Sequence, residues 1–154
     1  MLKKFVLLCV LLSATSVQAG NASVFEYTVK KPVDQVYKSL YQALEADGFY
    51  VVFEVNVGRN ISRFAEKWGD NYNRNQLSAI RSMVFCNGWY ANAVSNADPS
   101  MLALCPLRLS LIEKNGTSTA LFVRPTVVGA DSPAYTILQR IENEVIDAIK
   151  KGMQ

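Results

Sequence analysis

The chain has 154 residues, with sixteen Lys and Arg against thirteen Asp and Glu and no histidine. A formal charge of +3 without a basic stripe argues against a nucleic-acid binder. Lack of histidine removes the commonest general base and metal ligand near neutral pH. With it go Ser-His-Asp triads, Cys-His pairs, the usual zinc sets and c-type haem attachment.

The first nineteen residues have the three-part layout of an export signal. Lys3 and Lys4 precede an apolar run over residues 5–12, and Val17 and Ala19 stand where a signal peptidase reads small residues. The run is far shorter than the roughly 20 residues that span a bilayer. Cys9 lies inside it, away from the cleavage point, so no lipid anchor is expected. The expected product is a single domain, residues 20–154, in the periplasm or outside the cell, with no membrane anchor after cleavage. Both N-terminal lysines leave with the signal, which brings the formal charge down to about +1.

Residues 23–29 are rich in β-branched and aromatic side chains and predict a strand. Pro32 suits the first position of a helix, because its missing N–H has no partner there. Val33, Val36, Tyr37, Leu40 and Leu44 then recur at helical spacing, and Gly48 predicts a left-handed end. Residues 49–57 alternate as a strand, with Phe49, Val51, Phe53, Val55 and Val57 on one apolar face. Ile61, Phe64, Ala65 and Trp68 suggest a short helix, and residues 69–76 form a polar loop. Residues 80–86 predict a strand, after which Asn87 caps a short helix that ends before Asp98-Pro99.

Leu107, Leu109 and Leu111 alternate along a further strand, and Asn115-Gly116 is a preferred pair for a two-residue turn. The returning strand, residues 117–123, then sets Leu109 against Phe122 and Leu111 against Ala120. Arg108, Ser110 and Ile112 fall on the other face beside Val123, Leu121 and Thr119. Ser132 and Pro133 predict the start of a last helix, whose stripe is Ile137, Leu138, Ile141, Val145, Ala148 and Ile149. This order describes an α+β domain with helices packed on a mostly antiparallel sheet.

Several segments carry a resemblance in their order. They are Gly48-Phe49 at a helix end, the strand over residues 52–57, Phe85-Cys86-Asn87, Asn96-Ala97-Asp98-Pro99, and Pro106-Leu107-Arg108-Leu109 leading into residues 112–116. Through them residues 24–125 resemble the DUF302 family, whose domains are also grouped as TT1751-like. The resemblance implies a TBP-like α+β fold with a curved antiparallel sheet and two main helices, and it implies no activity. Two positions depart from the family pattern. Cys86-Asn87-Gly88 stands where the family often has Cys-Asn-Pro, and Cys105-Pro106-Leu107 where it often has Pro-Cys. A one-residue shift on a strand turns a side chain to the other face. Leu107, and not Cys105, thus occupies the second cysteine's matching position.

After cleavage two cysteines remain, Cys86 and Cys105, and in an exported domain such a pair is most often a disulfide. Inert thiols, a reactive Cys86, or a soft Cu(I) site from Cys86, Cys105, Met83 and Met101 stay open. Glu54 and Arg108 are charges within otherwise apolar strands, and their alternation lets them meet on an open sheet surface to bind a small polar ligand. The ligand-binding candidates are therefore Glu54, Cys86, Asn87 and Arg108. The leading expectation is a non-catalytic periplasmic module for a small molecule or a partner protein, with a homodimer left open and no cofactor. A thiol-dependent redox accessory or enzyme and a Cu(I)-handling protein are the alternatives.

Overall fold

The computed structural model describes residues 21–154; the expected export signal lies outside them. In chain order the elements are β1 (Val24–Val29), α1 (Val33–Ala46), β2 (Tyr50–Asn56), α2 (Val57–Ser62), α3 (Ala65–Trp68), β3 (Ala79–Cys86), α4 (Gly88–Ala97), β4 (Leu107–Lys114), β5 (Thr117–Val123), α5 (Pro125–Val128) and α6 (Tyr135–Met153). The five strands form one antiparallel sheet in the order β1-β5-β4-β3-β2. Helices α1 and α6 pack on one face of it, which makes the domain α+β, as its sequence pattern predicts. Among the described residues no helix is long and apolar enough to cross a membrane.

Helix α1 buries Val33, Val36, Tyr37, Leu40, Ala43 and Leu44. Its end follows from Gly48 at φ +79°, which lets Phe49 N–H reach Leu44 O at 2.8 Å and Gly48 N–H reach Glu45 O at 3.0 Å. Phe49 is thereby delivered, fully buried, into the core. Gly152 of α6 has a packing reason of its own: a Cβ there would stand 2.7 Å from Leu40 Cα, so the two helices meet backbone to backbone. The β4–β5 hairpin turns through Asn115 and Gly116, both at positive φ, with Leu109 opposite Phe122 and Leu111 opposite Ala120 as expected.

Strand β2 departs from simple alternation. Val51 pairs with Phe85 and Phe53 with Val84, so Val52 is an extra residue in a bulge. The bulge turns every later side chain to the other face. Phe53, expected in the apolar row, is 61% exposed. Glu54 pairs with Met83 and faces α1, whereas Arg108 pairs with Val84 on the uncovered face. The expected meeting of Glu54 and Arg108 is thus corrected: they lie on opposite sides of the sheet.

Three other boundaries differ from the sequence pattern. Pro32 is the extended residue before α1 and not its first member. The 3-10 turn Pro99–Leu104 and the short helix α5 have too little periodicity to be seen in sequence. Helix α6 begins at Tyr135 because Ser132 does other work: its hydroxyl donates to Asp98 Oδ2 at 2.6 Å and accepts from Ala134 N–H at 3.1 Å.

The chain between β5 and α6 is held by Glu142, which is buried on α6. Its carboxylate accepts from Arg124 Nη1 at 2.7 Å and from Thr126 N–H at 3.1 Å and Oγ1 at 2.5 Å. Burial opposes ionisation, but the Thr126 and Arg124 hydrogen bonds outweigh it and make the carboxyl more acidic than usual. A folded-state acidity above the unfolded one stabilises the fold above the ordinary glutamate range of about pH 4.3. That contribution is lost as pH falls through the lower folded value. Glu142→Gln is expected to cost about 2 kcal/mol at pH 7 and to flatten this acid limb, as read by urea melts from pH 3 to 7. An unchanged pH profile would assign the limb to other groups.

Candidate functional site

Strand β3 carries residues 79, 81, 83 and 85 toward the helices, and all but the second are apolar. Arg81 occupies that second place. Its guanidinium carbon lies 3.7 Å from the centroid of the Tyr37 ring on α1, within range of a cation–π contact. Nη1 bonds Asp34 Oδ1 at 3.2 Å, and Asp34 is largely in solvent, so this ion pair contributes little. Nε is buried and has no protein partner. Arg81 is therefore packed in place with a hydrogen-bond donor left over.

Tyr37 is itself fixed. Its hydroxyl donates to Glu54 Oε2 at 2.5 Å, across the turn of strand that the bulge creates. Burial and then the Glu54 carboxylate push its ionisation well above the ordinary phenol range, so the ring under Arg81 stays neutral. Glu54, picked out in the sequence as an unusual strand charge, thus positions Tyr37 and through it Arg81.

Arg81 lines a cleft of about 570 Å³ at the end of the sheet, formed by the start of α1, helix α2, the loop before β3 and the end of β4. Its walls are mostly polar: Asn56, Arg59, Ser62, Tyr72, Asn73, Ser78 and Glu113 take part. Glu113 is already engaged, accepting from Val33 N–H at 2.6 Å and from Ser78 Oγ at 2.9 Å. The polar loop is closed by Asn73, whose amide both donates to Leu77 O and accepts from Leu77 N–H at 2.9 Å. Gly58 lets α2 lie close to β3, since a Cβ there would be 3.2 Å from Ile80 N. The volume falls in the range of small-molecule sites.

The other residues singled out in the sequence gather elsewhere. Cys86 and Cys105 are half-buried, unbonded, and 3.3 Å apart at sulfur. They line a small apolar cavity of about 30 Å³ together with Asn87, Met101, Tyr90 and Leu138. Asn87 caps α4 by accepting from Tyr90 N–H at 3.2 Å. The Cys105 thiol is pushed up to about 11, by burial first and then by its contact with Cys86. Met83 is fully buried in the helix-facing core and does not line this cavity. Among the described residues no three His, Cys, Asp or Glu side chains cluster closely enough to hold a metal ion. Arg108 is exposed on the uncovered face and belongs to neither cavity.

Sequence reasoning passed over Arg81 and Tyr37. The signal was present: within Ile80-Arg81-Ser82-Met83-Val84-Phe85, Arg81 shares its parity with two core residues and so had to point toward the helices.

The sequence profile described as "Domain of unknown function DUF302" matches residues 25–154. The fold is similar to that in "Crystal structure of uncharacterized conserved protein DUF302 from Bacillus stearothermophilus", at TM-score 0.74 and 20% identity, covering 87% of this chain and 100% of that one. No curated protein matches the sequence. With the profile spanning nearly all of the described domain, the chain belongs to the DUF302 family.

Proposed function

We propose that this protein is a binding module, exported to the periplasm, that takes a small carboxylate-bearing ligand in the cleft beside Arg81. The observation that carries this reading is the Arg81 guanidinium, held over the Tyr37 ring, about a quarter exposed at the cleft and paired only with the solvent-exposed Asp34. A planar guanidinium matches a carboxylate in two parallel hydrogen bonds, and its charge makes each stronger than a neutral one. The surrounding amide, hydroxyl and phenol groups suit the rest of a polar metabolite. Asp34 is exposed and can turn to solvent when a ligand carboxylate replaces it.

A second reading concerns the thiols and is supported by their 3.3 Å separation. We infer that Cys86 and Cys105 join as a disulfide when the protein meets an oxidising thiol–disulfide couple. One of the two sulfurs attacks the oxidant and releases its first half as a thiol, leaving a mixed disulfide. The other sulfur then displaces the remaining half as a second free thiol.

For the first reading, titration with succinate and with glutamate is expected to shift amide signals over residues 56–62 and 72–78 and the Arg81 side-chain N–H in a ¹H–¹⁵N spectrum. Arg81→Met is expected to weaken binding about 10- to 100-fold, the loss of a charged hydrogen bond, while Arg108→Met leaves it unchanged. Equal loss in both variants, or no shift at millimolar ligand, would sink the cleft as the site. For the second, treatment with oxidised glutathione is expected to lower the intact mass by two hydrogens, block alkylation and stabilise the fold by about 3 kcal/mol. Two thiols that still alkylate after that treatment would rule the pairing out.

A further inference from the structure

The sheet face opposite α1 and α6 is not covered by either helix, and its residues fall into rows across the strands. One row runs from β1 to β2: Val24 pairs with Val123, Arg108 with Val84 and Val84 with Phe53, and Val123 and Arg108 stand one residue beyond the Phe122–Leu109 pair. Four of the five are apolar, with Phe53 61% and Val123 47% exposed. A row of apolar side chains reaching solvent across a whole sheet suits contact with another surface. Arg108 sits in the middle of it without an ion-pair partner among the described residues.

We propose that this face binds the same face of a second copy, forming a two-fold dimer in which Arg108 of each chain pairs with Glu26 of the other. Charge complementarity supports a copy of this chain as the occupant. Glu26 aligns with Leu121 one row away, and it is the only carboxylate that the described strands carry on this face. Two strands and two residues separate it from Arg108, about 12 Å between backbones. A two-fold axis lying between the faces and crossing that line at its midpoint sets each arginine over the partner's glutamate, twice. Such a self-complementary arrangement is what a symmetric dimer requires.

The area is sufficient but not generous. Five strands about 4.8 Å apart and about 20 Å long give roughly 500 Å² per copy, near 1,000 Å² for the pair. That is the lower limit for a specific interface, so the dimer is expected to dissociate in the micromolar range. A formal charge of about +1 once the N-terminal lysines are removed leaves little repulsion to oppose it.

Sedimentation of the purified protein between about 1 and 500 µM reads the outcome, with far-UV circular dichroism to check each variant's fold. The wild type is expected to dimerise at tens of micromolar. Phe53→Glu and Arg108→Glu are each expected to weaken the dimer at least tenfold. The double variant Glu26→Arg/Arg108→Glu is expected to recover it to within about threefold. Should Phe53→Glu disturb folding, Val123→Lys serves in its place. A wild type monomeric at 500 µM overturns the proposal, as does a dimer indifferent to these changes or one that the charge swap does not restore. A monomer that instead floats with phosphatidylglycerol vesicles assigns the face to a lipid surface and also overturns it.

Discussion

One extra residue in an edge strand determines how the two surfaces of this domain are used. Without the bulge at Val52, strict alternation would place Phe53 under α1 and Glu54 on the uncovered face. With it, a carboxylate reaches the Tyr37 hydroxyl and an aromatic ring is turned outward. A buried tyrosine needs a hydrogen-bond partner, and Glu54 supplies one that also keeps the phenol protonated. The neutral ring then offers its face to Arg81. A tyrosinate there would compete for the guanidinium's donors and change the chemistry of the cleft.

The cleft depends on a second set of ties, made by backbone groups. Glu113, at the end of β4, receives the first free N–H of α1 and so joins sheet to helix at the cleft wall. A carboxylate at a helix start is favoured by the helix dipole as well as by the hydrogen bond. Asn73 closes its own loop over four residues, using both ends of its amide. These contacts fix the walls of the cleft, which would reduce the ordering cost of binding the proposed ligand. The cysteine cavity differs in kind: it is apolar and has room for little more than one water molecule. Its interest lies in the sulfurs and not in the space between them.

Much of the fold was legible because local and tertiary preferences agree. The Asn115-Gly116 turn fixes the register of β4 on β5, and the stripe of α1 ends where Gly48 permits a left-handed residue. The site was less legible because it depends on the residue count between paired strands. Nothing in Tyr50-Val51-Val52-Phe53-Glu54 distinguishes a bulge from regular alternation, since apolar residues stand at four positions and either parity buries some of them. Glu54 was visible as a misplaced charge, but its partner Tyr37 looked like an ordinary member of an apolar stripe. Arg81 could have been found by parity alone. Its function as a held cation became apparent only once α1 lay across it.

The cleft and the cysteine pair sit at opposite ends of the same strand, and this bears on whether they act together. Arg81 and Cys86 are five residues apart on β3, about 17 Å along an extended chain. Between them Met83 and Phe85 are fully buried, and both flanks of the strand are hydrogen-bonded, to β2 and to β4. Such a strand transmits little unless it has two discrete arrangements, and close-packed cores seldom provide them. Drawing the sulfurs together is a motion of about 1 Å at the strand's end, next to a loop and the cap of α4. That loop can absorb the movement without shifting the core. The proposed oxidation of the thiols and the proposed occupation of the cleft are then expected to be independent of each other, and a ligand that bound alike to the reduced and oxidised protein would be the natural consequence.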